Sequence, residues 1–183
     1  HGLSCGADEF LSKPIDEFTL LARVRNLLRA QGSLEDQRLR RESHAALGFS
    51  ESTAAFISNR PGRVGVLSFG KVHSCDWCDI LRETMRDEVY CVSRRMALEA
   101  SKDQPDVFLL NAGPDGTAEA LTMLSELRAR PATRDARFVV IAPSDQEGFL
   151  GQAFVLGAHE VVGSPVNPRE LAVRMRGQIS RKQ

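Results

Sequence analysis

The residues of this 183-residue chain that could do chemistry fall into three groups. The first is Cys75-Asp76-Trp77-Cys78, a CxxC spacing. Such a pair can act as a redox dithiol or as half of a zinc site, but a structural zinc needs four ligands and no second pair is present. Packing inside a helix is therefore the expected role of both cysteines, and Cys91, in a short apolar run, is expected in the core. The second group is the residues that close apolar runs. Ser68 and Phe69 end Val64-Gly65-Val66-Leu67, Asn111 ends Val107-Phe108-Leu109-Leu110, Ala142 ends Phe138-Val139-Val140-Ile141, and Ser164 precedes Pro165. The third group is basic: Lys13 before Pro14, Arg86, and Arg174, Arg176, Arg181 and Lys182 near the end of the chain.

Elements that could position these residues alternate along the chain. Nearly continuous apolar runs at 64–69, 89–92, 107–111, 138–142 and 160–162 have the character of buried parallel strands. Helical spacing predicts helices at about 74–86, 94–101, 118–127 and 148–156, with a last one opened by Asn167-Pro168. Five βα units with right-handed crossovers predict an α/β fold: a doubly wound five-stranded parallel sheet of the flavodoxin/CheY-like order 2-1-3-4-5. In such sheets the functional crevice lies outside the carboxyl ends of the strands, where Ser68, Phe69, Asn111, Ala142 and Ser164 fall.

Composition limits the function classes. Twenty-four basic residues balance 24 acidic ones, which argues against a chain built to grip nucleic acid or an acidic membrane face. Trp77 and Tyr90 are the only Trp and Tyr, so stacking platforms for single strands are not in evidence. No apolar run approaches the roughly 20 residues that cross a bilayer. Four cysteines are too few for a disulfide scaffold, and a cytoplasmic setting is expected.

The chain also repeats itself. Gly6-Ala7-Asp8-Glu9 through Lys13-Pro14 aligns without a gap on Gly157-Ala158-His159-Glu160 through Ser164-Pro165, and Leu20, Arg23 and Arg25 then fall on Leu171, Arg174 and Arg176. Both copies give Gly-Ala, a short strand, a proline and an amphipathic helix. Only the second copy is preceded by a run of strands and helices. The chain is therefore expected to hold the end of one α/β domain at 1–31, a helical linker at 32–62 and a complete domain at 63–183. The stripe Phe10, Leu11, Phe18, Leu21, Val24 and Leu28, without its parent sheet, is expected to pack on the complete domain or on another molecule.

Five βα units with these strand endings, and the Gly-Ala…Lys-Pro signature of residues 6–14, resemble receiver domains of two-component response regulators. The resemblance implies two acids after the first strand that hold Mg²⁺, a nucleophilic aspartate ending the third, a Ser/Thr after the fourth and a lysine before the proline after the fifth. In the complete domain these positions are Ser68 and Phe69, Asn111, Ala142 and Ser164, so a degenerate, non-phosphorylatable receiver is expected. Lys13 resembles the retained lysine of a genuine first receiver. The Lys13-Pro14 and Ser164-Pro165 bonds are candidates for the cis form the family often has.

The order of receiver, helical linker and asparagine-bearing receiver closely resembles the PleD-type response regulators, which carry a GGDEF diguanylate cyclase domain further on. No GGDEF sequence occurs in the 183 residues, so catalysis is not expected of this chain. The resemblance implies a dimerising adaptor that brings cyclase domains together to make cyclic di-GMP from two GTP. It implies the first receiver, the GGDEF domain, a second copy of the chain and a histidine kinase as partners. Mg²⁺ is implied only for the first receiver and the cyclase. It also implies an Arg86 contact to cyclic di-GMP, although Phe56 stands where the partnering arginine would. The basic residues of the last helix are expected to line a solvated face. Two further readings stay open: an unconventional phosphoacceptor recruiting Asp115 or Asp145, and a small-ligand sensor using Ser68, Phe69 and Asn111.

Overall fold

A computed structural model of the chain describes residues 61–71, 74–99, 103–143 and 148–182, together with the single helical positions Glu17, Leu20, Leu21, Val24 and Leu28. The expectations for Lys13, the Lys13-Pro14 bond, Asp145, Phe10, Leu11, Phe18, Phe56 and most of 1–62 lie outside these residues.

Strands β1 (Arg63–Phe69), β2 (Glu88–Cys91), β3 (Val107–Ala112), β4 (Arg137–Pro143) and β5 (Glu160–Ser164) alternate with helices. These are α1 (Ser74–Thr84), α2 (Arg94–Leu98), α3 (Thr117–Ala129), α4 (Phe149–Leu156) and α5 (Pro168–Lys182). All strand pairs are parallel, in the order β2-β1-β3-β4-β5. The order follows from the sequence: β3 and β4 carry the unbroken apolar runs, every residue of both is buried, and they lie inside the sheet. The four-residue β2, with Glu88 exposed, takes an edge.

Alternation along the strands divides the core into two layers. Val64, Val66, Leu109, Val139, Ile141 and Val162 face Cys78 and Leu81 of α1, Met85 just beyond it, and Leu171, Met175 and Ile179 of α5. Leu67, Phe69, Phe108, Leu110, Phe138, Val140 and Ala142 face α2, α3 and α4. Phe108 and Phe138 stack across β3 and β4 with ring centroids 5.6 Å apart. Burying one such side chain contributes about 1.5–3 kcal/mol, so the two layers carry most of the stability.

The helix ends use the signals seen in the sequence. Asn167 accepts the Arg169 N–H at 2.9 Å through its side-chain oxygen, capping α5. Gly157 closes α4 in the left-handed region (φ 109°), with its N–H directed to the Ala153 and Phe154 carbonyls. The Ser164-Pro165 bond is cis. Two boundaries are shorter than the spacing predicts: α1 stops at Thr84 and α2 at Leu98. At the second, Glu99 already has extended backbone angles. Leu21, Val24 and Leu28 are exposed, Leu28 by 61%. The expected packing of this stripe on the complete domain is therefore not seen at these three positions.

Candidate functional site

The carboxyl edge of the sheet gathers the five positions picked out by sequence, and the strand pleat splits them between its faces. Register sets Ser68 opposite Asn111 and Phe69 opposite Ala112. On the other side Ala142 lies opposite Gly163, and Pro143 opposite Ser164. Ser68 and Asn111 follow the alternation of the α1–α5 layer. Phe69 and Ala142 belong to the opposite layer and are part of its core.

Asn111 is 4% exposed and donates from Nδ2 to the Ser68 hydroxyl at 3.3 Å. Phe69 is 7% exposed and packed in the apolar cluster, not lining an open crevice. Ala142 is fully buried, whereas Ser164 is exposed at the end of β5.

The loops that follow β1 and β3 close on one another at the point where strand order reverses. Gly113 donates its N–H to the Phe69 carbonyl at 3.2 Å. Gly116 lies so close that a Cβ there would fall 2.3 Å from the Phe69 carbonyl carbon and 2.5 Å from the Gly70 nitrogen. Lys71 pairs with Asp115 at 3.5 Å across the same loops, both side chains largely exposed. Asp115 therefore sits on the outer rim, paired with a lysine.

These residues do not fit Mg²⁺. A hard dication selects clustered oxygen ligands with carboxylates among them. Here the two polar side chains facing each other are a neutral amide and a hydroxyl, already bonded together, and the neighbouring positions are a phenylalanine and an alanine. Among the described residues no group of three His, Cys, Asp or Glu converges.

Elsewhere the structure brings together residues the sequence reading missed. Glu160, at the start of β5, accepts from Arg174 and from the buried Gln178 Nε2 at 3.1 Å, while Arg174 also reaches Glu170 at 2.8 Å. The Glu160 and Glu170 carboxylates hold the Arg174 pKa above its usual value against the opposing effect of burial. Arg174 is thus a structural tie between α5 and β5, which corrects its assignment to a solvated face. Arg176 lies 3.9 Å from Asp87, and Lys182 donates to the Asp135 carbonyl at 2.8 Å. Arg86 is exposed just beyond α1.

His159, the residue before β5, accepts the Phe138 N–H at Nδ1, 3.0 Å away. Burial, reinforced by the charges of Arg137, Arg128, Arg181 and Lys182, drives its pKa down to about 3. Cys78 meets Cys91 sulfur to sulfur, so Cys91 is more than a core residue.

Comparison with known proteins places this architecture. No family model matches the chain. The response regulator PleD of Caulobacter vibrioides is 28% identical over 191 residues, an alignment covering all of this chain and 40% of PleD. The chain thus spans about two fifths of the length of the curated relative it matches. A probable two-component response regulator/GGDEF domain protein of known structure superposes with a TM-score of 0.55 at 21% identity, over 70% of this chain and 53% of that one. The receiver domain of sensor histidine kinase PA1611 from Pseudomonas aeruginosa PAO1, solved with magnesium in its active site cleft, gives 0.52 at 15% identity, over 66% of this chain and 98% of that one. The fold is that of a response-regulator receiver domain. The receiver order 2-1-3-4-5 is present in full, and the chain contains no GGDEF sequence. None of the described helices is long and apolar enough to cross a membrane.

Proposed function

We propose that the chain is the regulatory part of a cytoplasmic two-component response regulator of the diguanylate cyclase type. Residues 1–31 are then the end of a phosphorylatable first receiver carrying Lys13, and 32–62 a helical linker. Residues 63–183 are a second receiver that takes no phosphoryl group. It acts as a docking adaptor: phosphorylation of the first receiver by its histidine kinase drives dimerisation, and two GGDEF domains of the parent chain meet to make cyclic di-GMP.

One observation carries the adaptor reading. The PA1611 receiver holds magnesium in its active site cleft; the carboxyl edge of this domain instead offers Asn111 bonded to Ser68, with Phe69 built into the core. An amide nitrogen is no nucleophile for phosphorus, and among the described residues no group of three His, Cys, Asp or Glu converges to hold the metal that would neutralise the transferred group. The closed β1 and β3 loops speak against the ligand-sensing alternative, and the Lys71 pairing of Asp115 against its recruitment as phosphoacceptor.

The test is acetyl phosphate with Mg²⁺, followed by intact mass and peptide mapping. The expected result is no phosphoryl adduct anywhere in residues 63–183. An adduct on Asp115, or on any residue of the domain, overturns the adaptor reading.

A further inference from the structure

The CxxC spacing directs attention to Cys75 and Cys78, but the fold pairs Cys78 with a residue from another element. Cys78 sits in the middle of α1, fully buried, and its sulfur contacts that of Cys91 at the end of β2. The two Cα atoms are 6.2 Å apart, inside the span of roughly 4.4–6.8 Å that disulfides bridge without backbone movement. Cys91 lies on the edge strand and is only partly buried where it packs against the core, whereas Cys78 is fully buried, so Cys91 is the better placed of the two to meet a small reagent.

We propose that Cys78 and Cys91 form an oxidisable dithiol, a modification site for two-electron oxidants of the peroxide class. The less buried partner reacts first. The Cys91 sulfur attacks one peroxide oxygen, the O–O bond breaks, and hydroxide leaves as water with the thiol proton, giving a sulfenic acid. The Cys78 sulfur then attacks the Cys91 sulfur. The S–O bond breaks, the second water carries off the Cys78 proton, and the disulfide closes. Two thiols and one hydrogen peroxide become one disulfide and two waters. Thiol reductants reverse the bond.

Closure encloses residues 79–90: the second half of α1, the exposed Arg86 and the turn into β2. It fastens α1 to the sheet edge. Arg176 of α5 reaches the Thr84 carbonyl at 3.4 Å and Asp87 at 3.9 Å beside the same turn.

The experiment treats the reduced 183-residue chain with hydrogen peroxide, blocks remaining thiols by alkylation and maps the peptides by mass. The expected result is a cross-linked peptide joining Cys78 to Cys91, lost on dithiothreitol treatment and retained in Cys75→Ser. The oxidised chain should melt higher by roughly 10 °C, because the cross-link restricts the unfolded state. In Cys91→Ala, which changes a part-buried position, Cys78 should resist peroxide. A Cys75–Cys78 bond, over-oxidation of Cys91 with Cys78 left free, or undiminished oxidation of Cys78 in Cys91→Ala would each overturn the proposal.

Discussion

Asn111 of β3 and Ser68 of β1 face each other across neighbouring strands and share a 3.3 Å hydrogen bond at the carboxyl edge of the sheet. Parallel register makes them opposite partners, so the amide and the hydroxyl satisfy each other in a site only 4% open at Asn111. On the adaptor reading, a single change at this edge is not enough for phosphate chemistry. Asn111→Asp should supply a carboxylate but no metal site, and should gain no phosphoryl group from acetyl phosphate and Mg²⁺, as read by intact mass.

A second prediction concerns the tie between α5 and β5. Arg174→Met leaves the Glu160 carboxylate without its cation in a site where Gln178 is also buried. Breaking one side of such a pair costs about 3–5 kcal/mol. The double variant Glu160→Gln/Arg174→Met should recover most of that loss, and urea unfolding of the four proteins in the cycle measures it.

His159 gives a third, in pH. Its pKa is about 3 in the folded chain and about 6.5 when unfolded. Between these values the unfolded state binds the proton and the folded state does not, so stability falls as pH drops below about 6.5. The slope should approach about 1.4 kcal/mol per pH unit from this group. His159→Gln, which keeps an acceptor for the Phe138 N–H, should flatten that slope in urea melts taken between about pH 6.5 and 4.

Two glycines should respond in opposite directions. Gly116→Ala drives a methyl group into the Phe69 backbone and should cost about 2 kcal/mol or more. Gly177→Ala meets nothing within 4 Å on the exposed side of α5 and should stabilise by about 0.5–1 kcal/mol. Thermal melts of the two variants side by side check both.

What could be read in the sequence was whatever periodicity and punctuation encode. The unbroken runs 107–111 and 138–142 became two of the three inner strands, and Asn167-Pro168 opened the last helix. The Gly-Ala of the repeat has a concrete role at 157–158, where Gly157 caps α4 and Ala158 is buried. The repeat also held an unused signal. Glu and Arg recur at the same spacing, Glu9 with Arg23 and Glu160 with Arg174, and the second pair is an ion pair. Other features arise only from packing. Cys91 meets Cys78 because α1 lies along β2, which no local spacing reveals. His159 is an acceptor because β4 begins beside it. The split of the five edge positions between two faces needed the pleat as well as the strand order.

Phe69 has a bearing on which substitutions the carboxyl edge of the sheet tolerates. Its ring fills space shared with residues of α2, α3 and α4, so putting an acid at that position would both empty a volume and strand a charge in it. An acid at this position thus has to come with changes in several of its core neighbours if the fold is to keep its stability.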